Sequence, residues 1–195
     1  NRAFYGVPIF TNSEGLHTNA VFGFLNIMFK IIDSKQPDYM AVAFDVHQPT
    51  FRHEMFKDYK GTRKPMMEEL REQVPVIKEL LQKMNITTVE LPGYEADDVI
   101  GTLSKKGEKA GMEVDVISGD RDLLQLASDH ITICIPKTKK GQTTVEEYNT
   151  EGVMKLYKVT PTEFIDVKAL MGDSSDNIPG VPGIGEKGAT AIISQ

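Results

Sequence analysis

The chain has 195 residues, 40% of them hydrophobic and 26% charged, and carries a formal net charge of −6 at pH 7. This composition predicts an ordinary folded core in one sizeable domain, or in one domain with a small appendage. A single cysteine, Cys134, excludes an internal disulfide framework and favours a reducing compartment, the cytoplasm. No apolar run approaches the roughly 18 residues that cross a bilayer, so we expect no membrane partner.

Hydrophobic periodicity predicts alternating helices and strands over most of the chain. The order is a helix over residues 17–34, a strand over 39–44, a basic and partly helical excursion over 52–64, a helix over 68–84, a strand over 86–91, a helix over 94–110, a strand over 113–118, a short helix after Gly119 and a strand over 130–135. After Thr143 the pattern changes to helices and glycines, with a helix over 162–171, a tight hairpin over 180–185 and a further helix starting near Glu186. The alternation favours an α/β fold, a parallel sheet with helices on its faces.

Acidic residues follow the predicted strands, and ligands of open α/β sheets bind at the carboxyl ends of strands. The set comprises Asp45 after the first strand, Glu95, Asp97 and Asp98 after the second, Asp120 and Asp122 after the third, and Asp173 and Asp176 after the helix over 162–171. Any one of them alone could be a helix cap or a turn residue. Their joint pattern predicts that the eight converge on one edge of the sheet.

Such a cluster needs positive charge, because two like charges about 4 Å apart repel by roughly 4 kcal/mol at an effective dielectric near 20. Without compensation, some of the acids would have raised pKa values. The set contains only oxygen ligands, with no His or Cys nearby, which favours Mg²⁺ or Mn²⁺ over Zn²⁺. Two such ions a few ångströms apart activate a water and stabilise the leaving oxygen of a phosphodiester. The sequence therefore predicts a two-metal phosphodiesterase site.

The remaining charge of the chain is mildly basic, at +2 once the eight acids are set aside. Residues 52–64 hold five basic side chains against two acids, with aromatic residues between them: Arg52, Lys57, Lys60, Arg63 and Lys64. They are either a solvated face or a surface that neutralises phosphates and stacks bases. Close to the metals, Lys60 or Arg63 would also stabilise the charge of a transition state.

The hairpin over residues 180–185, followed by Lys187, presents backbone N–H groups at the start of a helix. That arrangement binds anions, and its glycines allow close approach of a nucleic-acid backbone. The alternative interpretation is an ordinary glycine-rich turn.

Five strings carry a resemblance to a known family: NRAFYG, AFDVHQPTFRHEMFKDYKGTRKP, PGYEADDVIGTL, SGDRDLLQL and MGDSSDNIPGVPGIGEKGA. They span nearly the whole chain, and their order is that of the family. The chain resembles the 5′-nuclease domain of bacterial DNA polymerase I, within the wider flap endonuclease and PIN-like group. The resemblance implies a PIN-like parallel-sheet nuclease core over residues 1–143 with a helical arch at about 46–67. It further implies a partial helix-hairpin-helix region over 144–195.

The resemblance also implies roles for individual residues. The eight acids look like the metal-site residues, Lys60 like a lysine of the arch that assists chemistry together with Arg63, and Tyr59 like a stacking residue. Phosphate or DNA contacts are implied for Arg2, Arg52, Lys57, Arg63, Lys64, Gly183, Gly185 and Lys187. Related hairpins hold a monovalent cation, so K⁺ is expected there. The family begins with a strand ending in an Asp-Gly-Asn type motif. The chain starts just after that motif, and so we expect one further metal-site aspartate to lie before Asn1.

The expected function is a structure-specific 5′→3′ exonuclease and 5′-flap endonuclease in DNA replication and repair. Its partners would be DNA with a 5′ single-stranded flap, nicked duplex and RNA primers, and we expect it to be a monomer. Two alternatives stay open. One is a PIN-type ribonuclease, which would need no duplex clamp of the kind formed by residues 180–185. The other is a DNA-binding module without catalysis.

Overall fold

The computed structural model describes residues 2–139 and 142–195, without the side chains of residues 2, 3, 138, 139 and 142. By its internal contacts, the chain divides into two compact units. The first comprises Asn1–Phe44, Lys64–Glu90 and Pro136–Thr144, and the second comprises Asp45–Arg63, Leu91–Ile135 and Val145–Gln195. Within the described residues, no helix is both long and apolar enough to cross a membrane.

The first unit combines helices with a short parallel sheet. Its elements are α1 (Arg2–Tyr5), α2 (Asn19–Lys35), β1 (Ala41–Ala43), α4 (Glu68–Arg71), α5 (Gln73–Lys83) and β2 (Thr87–Val89). β1 and β2 are parallel, with Val42 opposite Thr88. The apolar faces of α2 and α5 form its core, where Met28, Ile77 and Leu81 are buried. The periodic pattern of residues 17–34 thus predicted α2 to within two residues at each end.

The helix predicted over residues 68–84 is interrupted at Glu72, which keeps helical dihedral angles (φ −66°, ψ −23°). Pro75 accounts for the break, because proline has no N–H to donate to the carbonyl of Arg71. The interruption places Gln73 at the start of α5, where its buried side chain accepts hydrogen bonds from the N–H groups of Ala20 (2.7 Å) and Val21 (3.2 Å). Gln73 therefore satisfies the free N-terminal donors of α2.

The second unit holds the remaining elements, except that the last residues of β4 and the first residues of β5 lie in the segment Pro136–Thr144 of the first unit. These elements are α3 (Phe51–Met55), α6 (Ala96–Lys109), β3 (Val114–Ile117), a 3-10 helix (Arg121–Leu126), β4 (Ile131–Lys139), β5 (Gln142–Tyr148), α7 (Thr150–Tyr157), α8 (Glu163–Met171) and α9 (Glu186–Ile193). The sheet has the order β3-β4-β5, and β3 and β4 are parallel. Ile133, Leu124, Val153 and Val167 are fully buried in its core. Cys134 is also fully buried, as its apolar surroundings predicted.

Two expectations about secondary structure were incomplete. The strand β5 was not foreseen, since we expected only helices and glycines after Thr143, whereas β5 continues to Tyr148. Its residues are polar at most positions, and only pairing with β4 makes a strand of them. The strands also form two sheets, of two and three strands, and within each the parallel pairing that the alternation predicted is present.

Candidate metal and phosphate site

The residues of the candidate site lie in the second unit, except for Arg2 and Lys64, which belong to the first. Asp45 reaches the first turn of α6, where its Oδ1 accepts a hydrogen bond of 2.8 Å from the N–H of Ala96. Glu95 is the N-cap residue of α6, and its own N–H donates to Oδ2 of Asp98 at 2.9 Å. These bonds bring two predicted strand-end acids to the same helix N-terminus, which is favourable for negative charge.

Asp97 is the acid most affected by its surroundings. Burial, followed by the negative charges of Asp120, Asp45 and Glu95, raises the pKa of Asp97 to about 6 from an ordinary value of 3.8. Lys60 lowers the pKa in part but does not cancel the rise. A carboxyl group whose pKa is raised by burial and by several other acids is typical of a site built for a cation or for proton transfer.

Asp120 and Asp122 stand at the 3-10 helix that follows β3. Oδ1 of Asp120 caps this helix by accepting a bond of 2.9 Å from the N–H of Asp122. Burial raises the pKa of Asp122, against the lowering effect of its hydrogen bond with Lys168. The ammonium of Lys168 lies 2.9 Å from Oδ1 of Asp122 and 3.3 Å from Oδ2 of Asp173, so that it joins two of the predicted acids.

The loop after α8 holds Asp173 and Asp176. Oδ1 of Asp173 accepts bonds from the N–H (2.8 Å) and hydroxyl (2.6 Å) of Ser175. Burial would raise the pKa of Asp173, but these bonds and the charge of Lys168 lower it below its ordinary value. Gly172 starts the loop at φ +67°, and a Cβ there would lie 2.3 Å from the nitrogen of Gly180. Only glycine fits at this close approach.

Residues 58–63 are bound to the acids by a set of contacts that we call the latch. The hydroxyl oxygen of Tyr59 lies 3.0 Å from both Oε2 of Glu95 and Oδ2 of Asp176, so its single hydrogen is shared between these two acceptors. The Lys60 ammonium lies 2.6 Å from Oε1 of Glu95, and the Arg63 guanidinium pairs with Asp176.

Backbone contacts complete the latch. The Lys60 N–H donates to the Asp176 carbonyl at 2.9 Å, Nε of Arg63 donates to the Ser175 carbonyl at 3.1 Å, and Nδ2 of Asn177 donates to the Asp58 carbonyl at 2.8 Å. Lys60 and Asn177 both adopt positive φ, at 56° and 59°. Such non-glycine conformations persist only where the surrounding contacts hold them.

The latch changes the interpretation of Tyr59. The residue is only 6% exposed, and its ring contacts the His53 ring edge-on at 5.2 Å between centroids. It therefore offers no free face to a base in this arrangement. Burial, followed by the charge of Glu95, raises the pKa of Tyr59, so that its hydroxyl stays a donor at neutral pH. Stacking on Tyr59 remains a prediction for a state in which the latch is open.

Arg52 and Asp98 form a bidentate pair, with distances of 2.7 and 2.8 Å between guanidinium nitrogens and carboxylate oxygens. Arg52 lies over the Phe51 ring, 4.6 Å from its centroid. The hydrogen bonds from Arg52 lower the pKa of Asp98, although burial opposes them. Both oxygens of Asp98 are thus already used by Arg52, and one of them also by the Glu95 N–H. Asp98 was predicted to bind a metal and Arg52 to contact a phosphate. In this structure the two side chains instead bind each other.

The other predicted contacts are exposed. Lys57 and Lys64 lie at the surface, Lys64 in the first unit. Gly183 (φ +81°), Gly185 and Lys187 are exposed at the hairpin and the start of α9, whose Ala189 is fully buried. The side chain of Arg2 lies outside the described residues.

Among the residues that the structure describes, no three His, Cys, Asp or Glu side chains direct their ligand atoms at one point. Five of the acids instead form ion pairs with Arg52, Lys60, Arg63 or Lys168, namely Glu95, Asp98, Asp122, Asp173 and Asp176. The donor set nevertheless fits hard divalent cations, because it consists of carboxylates that disfavour one another's charge. Sequence reasoning missed Lys168 and Ser175. The basic residue five positions before Asp173, in the last turn of α8, was the available signal for Lys168.

Comparison with known proteins places this site in a family. Residues 1–158 match the family described as 5'-3' exonuclease, N-terminal resolvase-like domain, and residues 159–195 match 5'-3' exonuclease, C-terminal SAM fold. The chain belongs to the 5'-3' exonuclease family. It is 54% identical over 194 residues to the DNA polymerase I of Bacillus subtilis (strain 168), covering 100% of this chain and 22% of that protein. The chain thus spans about a fifth of the length of the curated relatives it matches.

Solved structures agree with the family assignment. One, described as divalent metal ions (zinc) bound to T5 5'-exonuclease, has a TM-score of 0.73 at 27% identity and covers 88% of this chain and 65% of that chain. Another is a bacteriophage T5 flap endonuclease pseudo-enzyme-product complex with DNA and metal ions, with a TM-score of 0.71, 27% identity and the same coverages. The predicted family and α/β nuclease fold class are confirmed.

Proposed function

We propose that this chain is the nuclease part of a structure-specific 5′→3′ exonuclease and 5′-flap endonuclease that hydrolyses DNA by two-metal-ion catalysis. The observation that carries the proposal is the group of acids at the N-terminus of α6. Asp45 accepts a hydrogen bond from the N–H of Ala96, Glu95 is the N-cap residue, and both, together with Asp120, disfavour the charge of Asp97. Family membership and the solved T5 flap endonuclease with DNA and metal ions support it.

The cofactor we propose is Mg²⁺ or Mn²⁺, in two or more ions. The eight predicted acids would hold them, namely Asp45, Glu95, Asp97, Asp98, Asp120, Asp122, Asp173 and Asp176. Binding would require that the acids paired with Arg52, Lys60, Arg63 and Lys168 are released from those cations. When bound, such ions activate a water and stabilise the leaving oxygen of a phosphodiester. We extend the proposal to K⁺ at the hairpin over residues 180–185.

Lys60 and Arg63 stand beside the acids, so their side chains can turn from Glu95 and Asp176 to a phosphate that enters the cluster. There they would neutralise the charge that develops in the transition state. We propose that Lys57, which is exposed, contacts the phosphates of the single strand. This use of the latch residues requires that the latch opens when substrate binds.

The substrates we propose are DNA with a 5′ single-stranded flap, nicked duplex, and RNA primers paired to DNA, in replication and repair. The exposed backbone of Gly183 and Gly185 and the charge of Lys187 at the start of α9 suit a duplex backbone. We propose that the protein acts as a monomer in the cytoplasm. We also keep, as a proposal, the division into a nuclease core at 1–143 with its arch and a hairpin region at 144–195.

The test compares cleavage of a 5′-labelled flap duplex in MgCl₂ by the unchanged protein, Asp120→Asn and Asp122→Asn. The Asn side chain at position 120 keeps the oxygen that caps the 3-10 helix, so the fold is retained. We expect both variants to lose at least 100-fold in cleavage rate while binding branched DNA, since each removes a charge that the ions need. Asp129→Asn, an exposed acid outside the cluster, is the control. Full cleavage by both variants would refute the proposal.

The two alternatives predict different results in the same assay. A PIN-type ribonuclease would cleave single-stranded RNA faster than the flap duplex. A DNA-binding module without catalysis would bind the flap and cleave neither substrate, with or without Mg²⁺.

A further inference from the structure

Lys168 lies between two acids that the chain places on different elements. It is on the last turn of α8, and its ammonium contacts Oδ1 of Asp122 on the 3-10 helix and Oδ2 of Asp173 in the loop after α8. Its side chain is 23% exposed, and that of Asp122 is 41% exposed, so the contact is open to solvent and to ions.

We propose that Lys168 is a positioning residue that competes with a divalent cation for Asp122 and Asp173, an inference that rests on the proposed function. In the metal-free protein the ammonium holds the two carboxylates together, and it leaves when an ion binds between them. Lys168 therefore lowers the metal affinity of this pair while keeping the pair assembled.

Geometry makes the two cations mutually exclusive. The contacts of 2.9 and 3.3 Å place the two carboxylate oxygens at most about 6 Å apart, with the ammonium between them. Mg²⁺ binds carboxylate oxygens at about 2.0–2.1 Å, so two oxygens on one ion lie within about 4 Å of each other. An ion bound to both oxygens would therefore lie between them, in the position that the ammonium holds, and the two cations cannot occupy that position together.

Charge gives the same result. Lysine is a compact point charge with three donors on a flexible stem, which can neutralise two carboxylates and then move to solvent. Once Lys168 is neutral or absent, Asp122 and Asp173 repel each other without compensation, and a divalent ion gains by relieving that repulsion.

The decisive measurement is metal affinity, by calorimetric titration of the protein with MnCl₂ and MgCl₂. Lys168→Gln and Lys168→Met remove the charge, and Lys168→Arg keeps it. We expect the neutral variants to bind metal three- to tenfold more tightly than the unchanged protein and to melt at lower temperature in EDTA, with the difference in melting temperature narrowing in saturating metal. Lys168→Arg should restore both values toward those of the unchanged protein. Lys105→Gln, which breaks an exposed pair with Glu108 outside the site, should change neither.

A purely structural lysine would give a different pattern, in which the neutral variants lose melting temperature equally with and without metal. Metal affinity that is unchanged or weaker in the folded neutral variants overturns the inference. Should those variants not fold, acetylation of the unchanged protein with acetic anhydride decides, followed by peptide mass spectrometry. Lys168 should then be acetylated at least threefold faster in MgCl₂ than in EDTA, with Lys105 as the internal reference, and equal rates at Lys168 overturn the inference.

These measurements distinguish a failure of this inference from a failure of the proposed function. If the unchanged protein binds no divalent ion and cleaves no flap substrate, the proposed function fails. If it binds and cleaves while Lys168 has no effect on metal affinity, only the competition fails.

Discussion

Replacing Asp97 with asparagine should stabilise the metal-free protein and at the same time remove its response to metal. The folded protein holds the Asp97 carboxyl among Asp120, Asp45 and Glu95, and burial together with these charges raises its pKa to about 6. The charged form of Asp97 is therefore unfavourable in the fold at neutral pH. Asparagine has a similar shape and no charge, so the variant avoids this cost.

The magnitude follows from the difference in pKa between the folded and unfolded states. A rise from 3.8 to about 6 corresponds to about 3 kcal/mol of destabilisation at pH 7.5, at about 1.4 kcal/mol per pKa unit. Because the folded state binds this proton more tightly, the free energy of unfolding falls as the pH rises from about 4 to about 6. Compared with the unchanged protein, Asp97→Asn should therefore have a free energy of unfolding that is higher by the full difference of about 3 kcal/mol above pH 6. At pH 4 it should be higher by less than about 1 kcal/mol.

Thermal unfolding in EDTA measures the gain. For a chain of this length, about 3 kcal/mol corresponds to a rise in Tm of roughly 6–12 °C at pH 7.5, which should nearly vanish at pH 4. Asp129→Asn, at an exposed acid, should show no rise at either pH. In saturating MgCl₂ the unchanged protein should gain in Tm, and Asp97→Asn should gain far less and lose cleavage.

If Asp97→Asn is no more stable than the unchanged protein in EDTA at pH 7.5, the charge of Asp97 does not destabilise the fold and the prediction is wrong. A gain of equal size at pH 4 would also contradict it, because it would trace the effect to packing rather than to charge. Such a trade of stability for function is expected where a site gathers like charges for a ligand.

Three further predictions concern the contacts around the acids. Tyr59→Phe removes a hydroxyl that donates to two carboxylates, so the free energy of unfolding by urea should fall by about 1–3 kcal/mol, and a change below about 0.5 kcal/mol would contradict the latch. Arg52→Gln removes the bidentate partner of Asp98, and because this pair is partly exposed, the free energy of unfolding by urea should fall by only about 1 kcal/mol. If Arg52→Gln causes the same loss in a protein that already carries Asp98→Asn, the pair is not the source of the loss. Gly172→Ala should lower the free energy of unfolding by more than about 3 kcal/mol, because its Cβ would meet backbone atoms. Gly183→Ala, which has open space at a similar φ, should lower it by only about 1–2 kcal/mol. Equal decreases in Tm for the two variants would refute the close approach at Gly172.

The sequence by itself determined the family and the fold class, and it predicted which acids form the metal site. Periodicity placed α2 and α9 closely, and the sites of β1 and β3 were found with ends one to two residues too long. Local patterns suffice there because each helix or strand buries an apolar face whose spacing is a property of the element alone. The acids could be selected as candidates because they lie in loops after predicted strands, at the start of a predicted helix or just after one, and local sequence specifies these positions.

Only the tertiary structure decided which of those charges meet. Nothing in residues 58–63 indicates that Tyr59 is buried against Glu95 and Asp176, since its ring could equally have been exposed among basic neighbours. Lys168 joins Asp122 to Asp173 because two elements distant in the chain come together. The strand β5 exists by pairing with β4. Local sequence sets conformation and charge, but partners distant in the chain set pKa values and ion pairs, because electrostatic and hydrogen-bond energies depend on distances that only the folded chain defines.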